Sequence, residues 1–166
     1  MDEEVFRAFY ERTNRALWLY IAGMVKDNEL ADDLFQESYI KVLQSRIEYK
    51  NEPQMKSYLY RTATNCMRDH WRKMKREREW FEAEGGEAAE VRNPIELRHD
   101  LQAAFSGLSL QQRSLLWLAY AEEYEHKEIA DILMLKEKSV KVLLFRAKHK
   151  LIELAGKLGI TREVTP

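Results

Sequence analysis

The sequence predicts an all-α chain of two small helical domains joined by a flexible linker. Three observations predict it. Apolar residues recur at spacings of three, four and seven, and no stretch sustains the period-two alternation of a half-buried strand. Six glycines and three prolines in 166 residues are few for a sandwich or barrel of many short strands. The apolar pattern also breaks once, over residues 82–93 (EAEGGEAAEVRN), which hold two of the glycines and four glutamates, with Val91 the only large aliphatic. Such a segment buries little surface, and twelve flexible residues reach about 20 Å. The expected division is therefore 1–81, a linker over 82–93, and 94–166.

The first helix carries Val5, Phe6, Phe9, Ala16, Leu17, Tyr20, Ile21 and Met24 along one stripe. Asp27 or Asn28 offers an N-cap to the second, whose stripe runs Ala31, Leu34, Phe35, Ser38, Val42. Pro53 suits the first turn of a third helix with Met55, Leu59, Thr62, Ala63 and Cys66 on one face. After the break, Asn93-Pro94-Ile95-Glu96 reads as N-cap, N1 proline and capping-box glutamate. Leu97, Leu101, Ala104 and Phe105 follow as a stripe. Ser109 with Gln112 is a second capping-box signal, ahead of SLLWLAYAEEY, and then come a short helix EHKEIADIL and a longer one, KEKSVKVLLFRAKHKLIELA.

Composition excludes several functions. One cysteine cannot form an intramolecular disulfide, so the cell interior is the expected compartment. No apolar run approaches the roughly 20 residues that span a bilayer, and the acidic, amphipathic start MDEEVFRAFYERTN is not a signal peptide. His70, His99, His126 and His149 are scattered without ligand spacing, and no glycine-rich phosphate loop or GxSxG is present. Asp32, Asp33 and Glu37 could be read as a metal cluster, but no partner motif lies elsewhere, and a solvated or protein-facing acidic face is the better expectation. Neither catalysis nor a cofactor is expected.

Charge is balanced overall, 27 Lys+Arg against 28 Asp+Glu, yet it is poorly mixed. Arg68–Arg78 holds six bases and two acids, net +4; Lys136–Lys150 holds six bases and one acid, net +5; Asp27–Glu37 holds five acids and no base. A polyanion is drawn to the first two blocks and repelled by the third. Any one block could be no more than a solvated helix face. Tyr49, Tyr58, Tyr60, Trp71, Trp80 and Phe81 lie in or near the first basic block. Unpaired bases stack on such rings for about 1–3 kcal/mol each while Lys and Arg track phosphates; the alternative is that the rings pack the core. In the last two helices Ile129, Ala130, Leu133, Val140, Leu144 and Ala147 fall where crossing helices need apolar contact. Lys138, Lys141, Val142, Phe145 and His149 form the opposite stripe. This is helix-turn-helix spacing, and the last helix could enter a major groove. Met134 stands where the tight turn prefers glycine.

Taken in order, these segments resemble the extracytoplasmic-function (ECF) sigma factors of bacterial RNA polymerase, within the sigma-70 family. Leu30–Val42 (LADDLFQESYIKV) is similar to the helix of the family's region two. Tyr58–Asn65 (YLYRTATN), with Asp69 and the basic run, is similar to its WLYRIAxN…D segment. Leu108–Lys150 is similar to its region four. The resemblance implies two helical domains, no enzyme activity, and a role in promoter-specific initiation. It implies that Asp32, Asp33, Gln36, Glu37 and Lys41 dock core RNA polymerase. It implies that Tyr49, Lys50, Asn51, Tyr58 and Asn65 capture an everted base of the −10 promoter element, with Arg61, Arg68, Arg72 and Lys73 on phosphates. It implies that Lys136, Lys138, Ser139, Lys141, Val142, Arg146 and Lys148 face the −35 duplex. Members are often held inactive by an anti-sigma protein. The sequence departs from the pattern in three places: Met134 for the turn glycine, the pair Val142 and Leu143 for small polar or basic residues, and Tyr58 for a frequent Trp. A stand-alone helix-turn-helix regulator would explain the second half but not the first, and a helical adaptor would leave both basic blocks merely solvated.

Overall fold

A computed structural model describes residues 2–83 and 99–159, which form seven α-helices and, among the described residues, no strand. They are α1 (Glu3–Val25), α2 (Asn28–Gln44), α3 (Glu52–Ala83), α4 (His99–Ser106), α5 (Leu110–Tyr120), α6 (His126–Leu133) and α7 (Glu137–Lys157). The chain divides into two compact units, one within residues 1–94 and one within 95–166. The all-α expectation holds. Most of the expected linker, and the Asn93–Glu96 helix start, lie outside the described residues; α3 itself continues through Ala83.

In the first unit α1, α2 and α3 pack on one another. Each start has a local cause. The Asp2 carboxylate accepts from the Glu4 N–H at 3.0 Å, and Asp27 accepts from Leu30 N–H at 3.1 Å, which satisfies backbone donors that have no partner inside the helix. Asn51 does the same for α3 through Gln54 N–H at 2.9 Å, while Gln54 Oε1 accepts from Lys50 N–H at 2.7 Å. Phe9, Leu17, Tyr20, Ile21, Leu34, Val42, Leu59 and Met67 fill the centre, each contributing about 1.5–3 kcal/mol by leaving water. Two hydroxyl pairs are sealed within this core: Thr13 with Tyr39 at 2.7 Å and Tyr20 with Thr64 at 2.8 Å. Burial pushes the Tyr39 phenol up to about 12. Val5 shares the predicted stripe but is exposed.

In the second unit α4, α5 and α6 all pack on α7, and α5 also meets α6. Ser109 and Gln112 form the expected capping box. A Cβ at Gly107 would lie 2.9 Å from Leu154, so glycine allows the α4–α5 corner to close against α7. Leu115, Leu118, Ile129, Ile132, Leu133, Val140, Leu144 and Ala147 are buried. Leu101, placed on the α4 stripe by its spacing, is exposed instead. The turn between α6 and α7 forms as the helix-turn-helix spacing predicts. Met134 closes α6 at φ 54°, ψ 46°, in the left-handed region, and Leu135 N–H returns to the Ala130 carbonyl at 2.9 Å.

Candidate nucleic-acid interface

Two exposed surfaces answer the sequence expectations, one on each unit. On the first, the end of α2 and the middle of α3 enclose a hollow of about 420 Å³. Tyr58, Arg61, Thr62, Asn65 and Asp69 line it from α3; Lys41, Gln44 and Ser45 line it from the α2 end. The α3 residues recur at three and four, so successive turns present them to the same side. Three residues expected to bind the −10 element, Tyr58, Arg61 and Asn65, therefore converge.

The remaining expected residues of that set separate from them. Tyr49 and Asn51 line a second hollow of about 550 Å³, shared with Val5, Phe9, Arg12 and Met55. The Tyr49 hydroxyl lies 2.8 Å from Ser45 Oγ and its ring centroid 5.6 Å from that of Tyr58. Burial raises its phenol pKa against the opposing Ser45 bond. Asn51 caps α3, so its carbonyl oxygen already serves the helix; Lys50 is exposed beside it. Arg12 and Glu52 brace the same rim with two hydrogen bonds of 2.9 and 2.7 Å.

Farther along α3, Arg68 is half-buried, and desolvation lowers its guanidinium pKa. Arg72 and Lys73 are exposed and lie 3.5 and 4.0 Å from Asp69 and Glu77. Lys75–Glu79 and Arg78–Glu82 continue the pattern at 3.8 and 2.9 Å. Much of the positive charge counted over 68–78 is thus offset on the helix surface, at the modest strength such exposed pairs have.

On α2, Asp32, Asp33, Gln36 and Glu37 are all exposed and form an acidic face. Asp32 accepts from Trp18 Nε1–H at 2.7 Å, a contact that sequence spacing gave no sign of. Lys41, expected with this face, pairs with Glu37 on it and also lines the first hollow. Its ammonium lies 2.7 Å from Glu37 and donates to Cys66 Sγ at 3.5 Å, and the Glu37 bond raises its pKa. Burial pushes the Cys66 thiol up, so it stays protonated and packs as a small apolar residue. Among the described residues no group of three or more His, Cys, Asp or Glu side chains could hold a metal ion.

The second surface is the outer face of α7. Lys136, Lys138, Lys141, Val142, Arg146 and Lys148 are exposed, and Ser139 is half-buried in the first turn. Val142 is 49% and Phe145 62% exposed within this basic face. Phe145 packs on His149 at 4.1 Å between ring centroids, and Lys148 lies 6.0 Å over the Tyr120 ring. The inner face of the same helix is the buried Val140–Leu144–Ala147 stripe, so α7 is held by one side and free along the other.

The family model for Sigma-70 region 2 matches residues 9–77, and that for Sigma-70 region 4 matches residues 98–151. The chain belongs to the sigma-70 family. Among its relatives, the ECF RNA polymerase sigma factor SigM of Bacillus subtilis (strain 168) is 29% identical over 93% of this chain and 96% of its own. The RNA polymerase sigma factor CarQ of Myxococcus xanthus is 26% identical over 95% of this chain and 93% of its own. In structure, the chain is similar to the sigma factor RpoE solved in complex with the anti-sigma factor NepR from Bartonella quintana. The TM-score is 0.73 and the identity 23%, over 92% of this chain and 98% of that one. The PhyRSL–NepR complex from Sphingomonas sp. Fr1 gives a TM-score of 0.67 at 13% identity, over 96% of this chain and 94% of that one. The protein is an ECF sigma factor and directs RNA polymerase to promoters. The two matched regions fall within α1–α3 and across α4–α7.

Proposed function

We propose that this sigma factor divides promoter recognition between its two units, with residues 1–81 engaging core polymerase and the −10 element and residues 94–166 engaging the −35 element. The observation that carries the proposal is the hollow between α2 and α3, where a ring (Tyr58), a guanidinium (Arg61) and an amide (Asn65) converge. An everted base needs a ring to stack on, hydrogen-bonding groups for its edge and a cation for its phosphate. Asn65 reads the base edge, Tyr58 and Tyr49 flank it, Lys50 and Asn51 bound the loop, and Arg61, Arg68, Arg72 and Lys73 follow the backbone. Lys41, paired with Glu37, joins the polymerase-docking face to the rim of the hollow. Asp32, Asp33, Gln36 and Glu37 form the polymerase-docking face.

On the second unit α7 enters the major groove. Lys136, Lys138, Lys141, Arg146 and Lys148 hold phosphates, Ser139 approaches the base edges, and Val142 contacts a thymine methyl. The solved relative bound to an anti-sigma protein supports a regulatory partner of that kind for this chain. Among the described residues no helix is long and apolar enough to cross a membrane.

Run-off transcription with core polymerase over a promoter library tests the reading. Discrete start sites that appear only when this chain is added are the expected result. If the chain retains no polymerase subunit yet shifts duplex DNA, a stand-alone helix-turn-helix regulator replaces it.

A further inference from the structure

The DNA-facing side of α3 does not end at the hollow. Tyr58, Asn65, Arg72, Arg76 and Trp80 follow one another at spacings of seven, seven, four and four, which keeps them on one face of the helix. From Arg72 to Trp80 every residue is exposed, and Trp80 is 66% exposed. Of the five basic residues between 72 and 78, four are ion-paired: Arg72 with Asp69, Lys73 with Glu77, Lys75 with Glu79 and Arg78 with Glu82. Arg76 has no ion pair among the described residues. Among the described residues of this stretch, the uncompensated cation thus stands one turn before an exposed indole, on the face that carries Asn65. Trp80 also lies beyond the segment matched by the region 2 model, which stops at residue 77.

We propose that Arg76 and Trp80 form a second contact for unpaired DNA, with Trp80 stacking on a base and Arg76 holding an adjacent phosphate. The inference rests on the reading of α3 as DNA-facing and adds to it a site that the first hollow does not contain. The exposed indole of Trp80 presents a flat apolar face, which suits a base of any sequence. Fifteen residues separate Asn65 from Trp80, about 22 Å along the helix.

The test uses holoenzyme assembled from the full chain and core polymerase. It is titrated with a single-stranded oligonucleotide spanning the −10 element that the run-off screen returns, and with the matching duplex. Trp80→Ala is expected to weaken strand binding about fivefold or more, the lower end of what one base–ring stack provides. Trp80→Phe keeps most of the affinity, and duplex binding does not change. Arg76→Ala is expected to lower the slope of log affinity against log salt by about 0.7, the value for one phosphate contact on a single strand. Trp80→Ala should leave that slope unaltered. Asn65→Ala, run in parallel, separates the two proposals. If Asn65→Ala weakens strand binding and Trp80→Ala does not, the second contact is refuted and the hollow stands. If only Trp80→Ala weakens it, the second contact stands and the hollow fails. An equal loss on strand and duplex from Trp80→Ala refutes stacking on an unpaired base.

Discussion

Met134 offers a test of the helix-turn-helix geometry whose sign differs from ordinary expectation. Inside a helix, replacing alanine by glycine costs about 1 kcal/mol. At Met134 the backbone sits at φ 54°, ψ 46°, where a residue with a Cβ bears about 1–2 kcal/mol of steric cost that glycine escapes. Glycine gives back about 0.5–1 kcal/mol through the greater freedom of its unfolded chain. The glycine variant should therefore exceed the alanine variant by about 0.5–1 kcal/mol. Comparing these two, rather than either with the parent, removes the methionine side chain from the balance. That matters because Met134 is 54% exposed, so losing its buried half forfeits about 1 kcal/mol of apolar contact and brings Met134→Gly close to neutral against the parent. Hydrogen exchange of the α6 and α7 amides reads the difference locally and needs no assumption that the two units unfold together. An alanine variant as protected as the glycine variant, or better, would refute the left-handed turn.

Three further outcomes follow from the first unit. Tyr39→Phe removes the sealed bond to Thr13 and should lower stability by about 1 kcal/mol in thermal melts. Burial raises the folded Tyr39 pKa to about 12 from the usual 10, so the native state holds its proton more tightly; the contribution is complete below pH 10 and fades as pH rises towards 12, and the parent should lose stability relative to Tyr39→Phe in that window. Asp33→Lys places a cation on the exposed acidic face of α2, where Asp33 makes no ion pair among the described residues; affinity for core polymerase should fall about tenfold with a weaker salt dependence, and unchanged affinity would remove α2 from the docking surface. Asn65→Ala should slow open-complex formation, measured by permanganate reactivity of unpaired thymines, far more than it weakens duplex binding; equal losses would give Asn65 a structural role.

The helices were legible because their causes are local. The α7 stripe at Val140, Leu144 and Ala147 and the Ser109–Gln112 cap are written within a few residues of one another. Val5 and Leu101 obey the same spacing and are exposed, because periodicity marks a face but not how far the neighbouring helix extends. Asn51 shows how one chemistry supports two readings: an amide before Pro53 suits a DNA-binding loop and equally suits the helix cap it forms. The positive φ angles at Lys26 and Glu123 carry no signal, since neither residue type favours that region. Lys41 could be paired with Glu37 from spacing alone, but its place in the hollow depends on how α2 meets α3, and no single segment encodes that.

The arrangement of charge on the first unit gives the DNA a direction of approach. The acids of α2 stay largely uncompensated: Asp32 is bonded to a neutral indole, Asp33 makes no ion pair among the described residues, and only Glu37 has a cation, Lys41. Of the five bases of α3 between 72 and 78, Glu77, Glu79 and Glu82 pair three and Asp69 a fourth, which trims non-specific attraction for any polyanion. A phosphate backbone is therefore repelled by one side of the three-helix unit and only moderately held by the other. On the proposed reading of the hollow, strong binding then requires what charge alone does not supply, a base lifted from its stack. Such a surface would discriminate an opened promoter from bulk duplex because its electrostatic pull is kept small; if so, raising that pull, for instance by Glu77→Gln with Glu79→Gln, should increase duplex affinity while lowering the preference for promoter over random DNA.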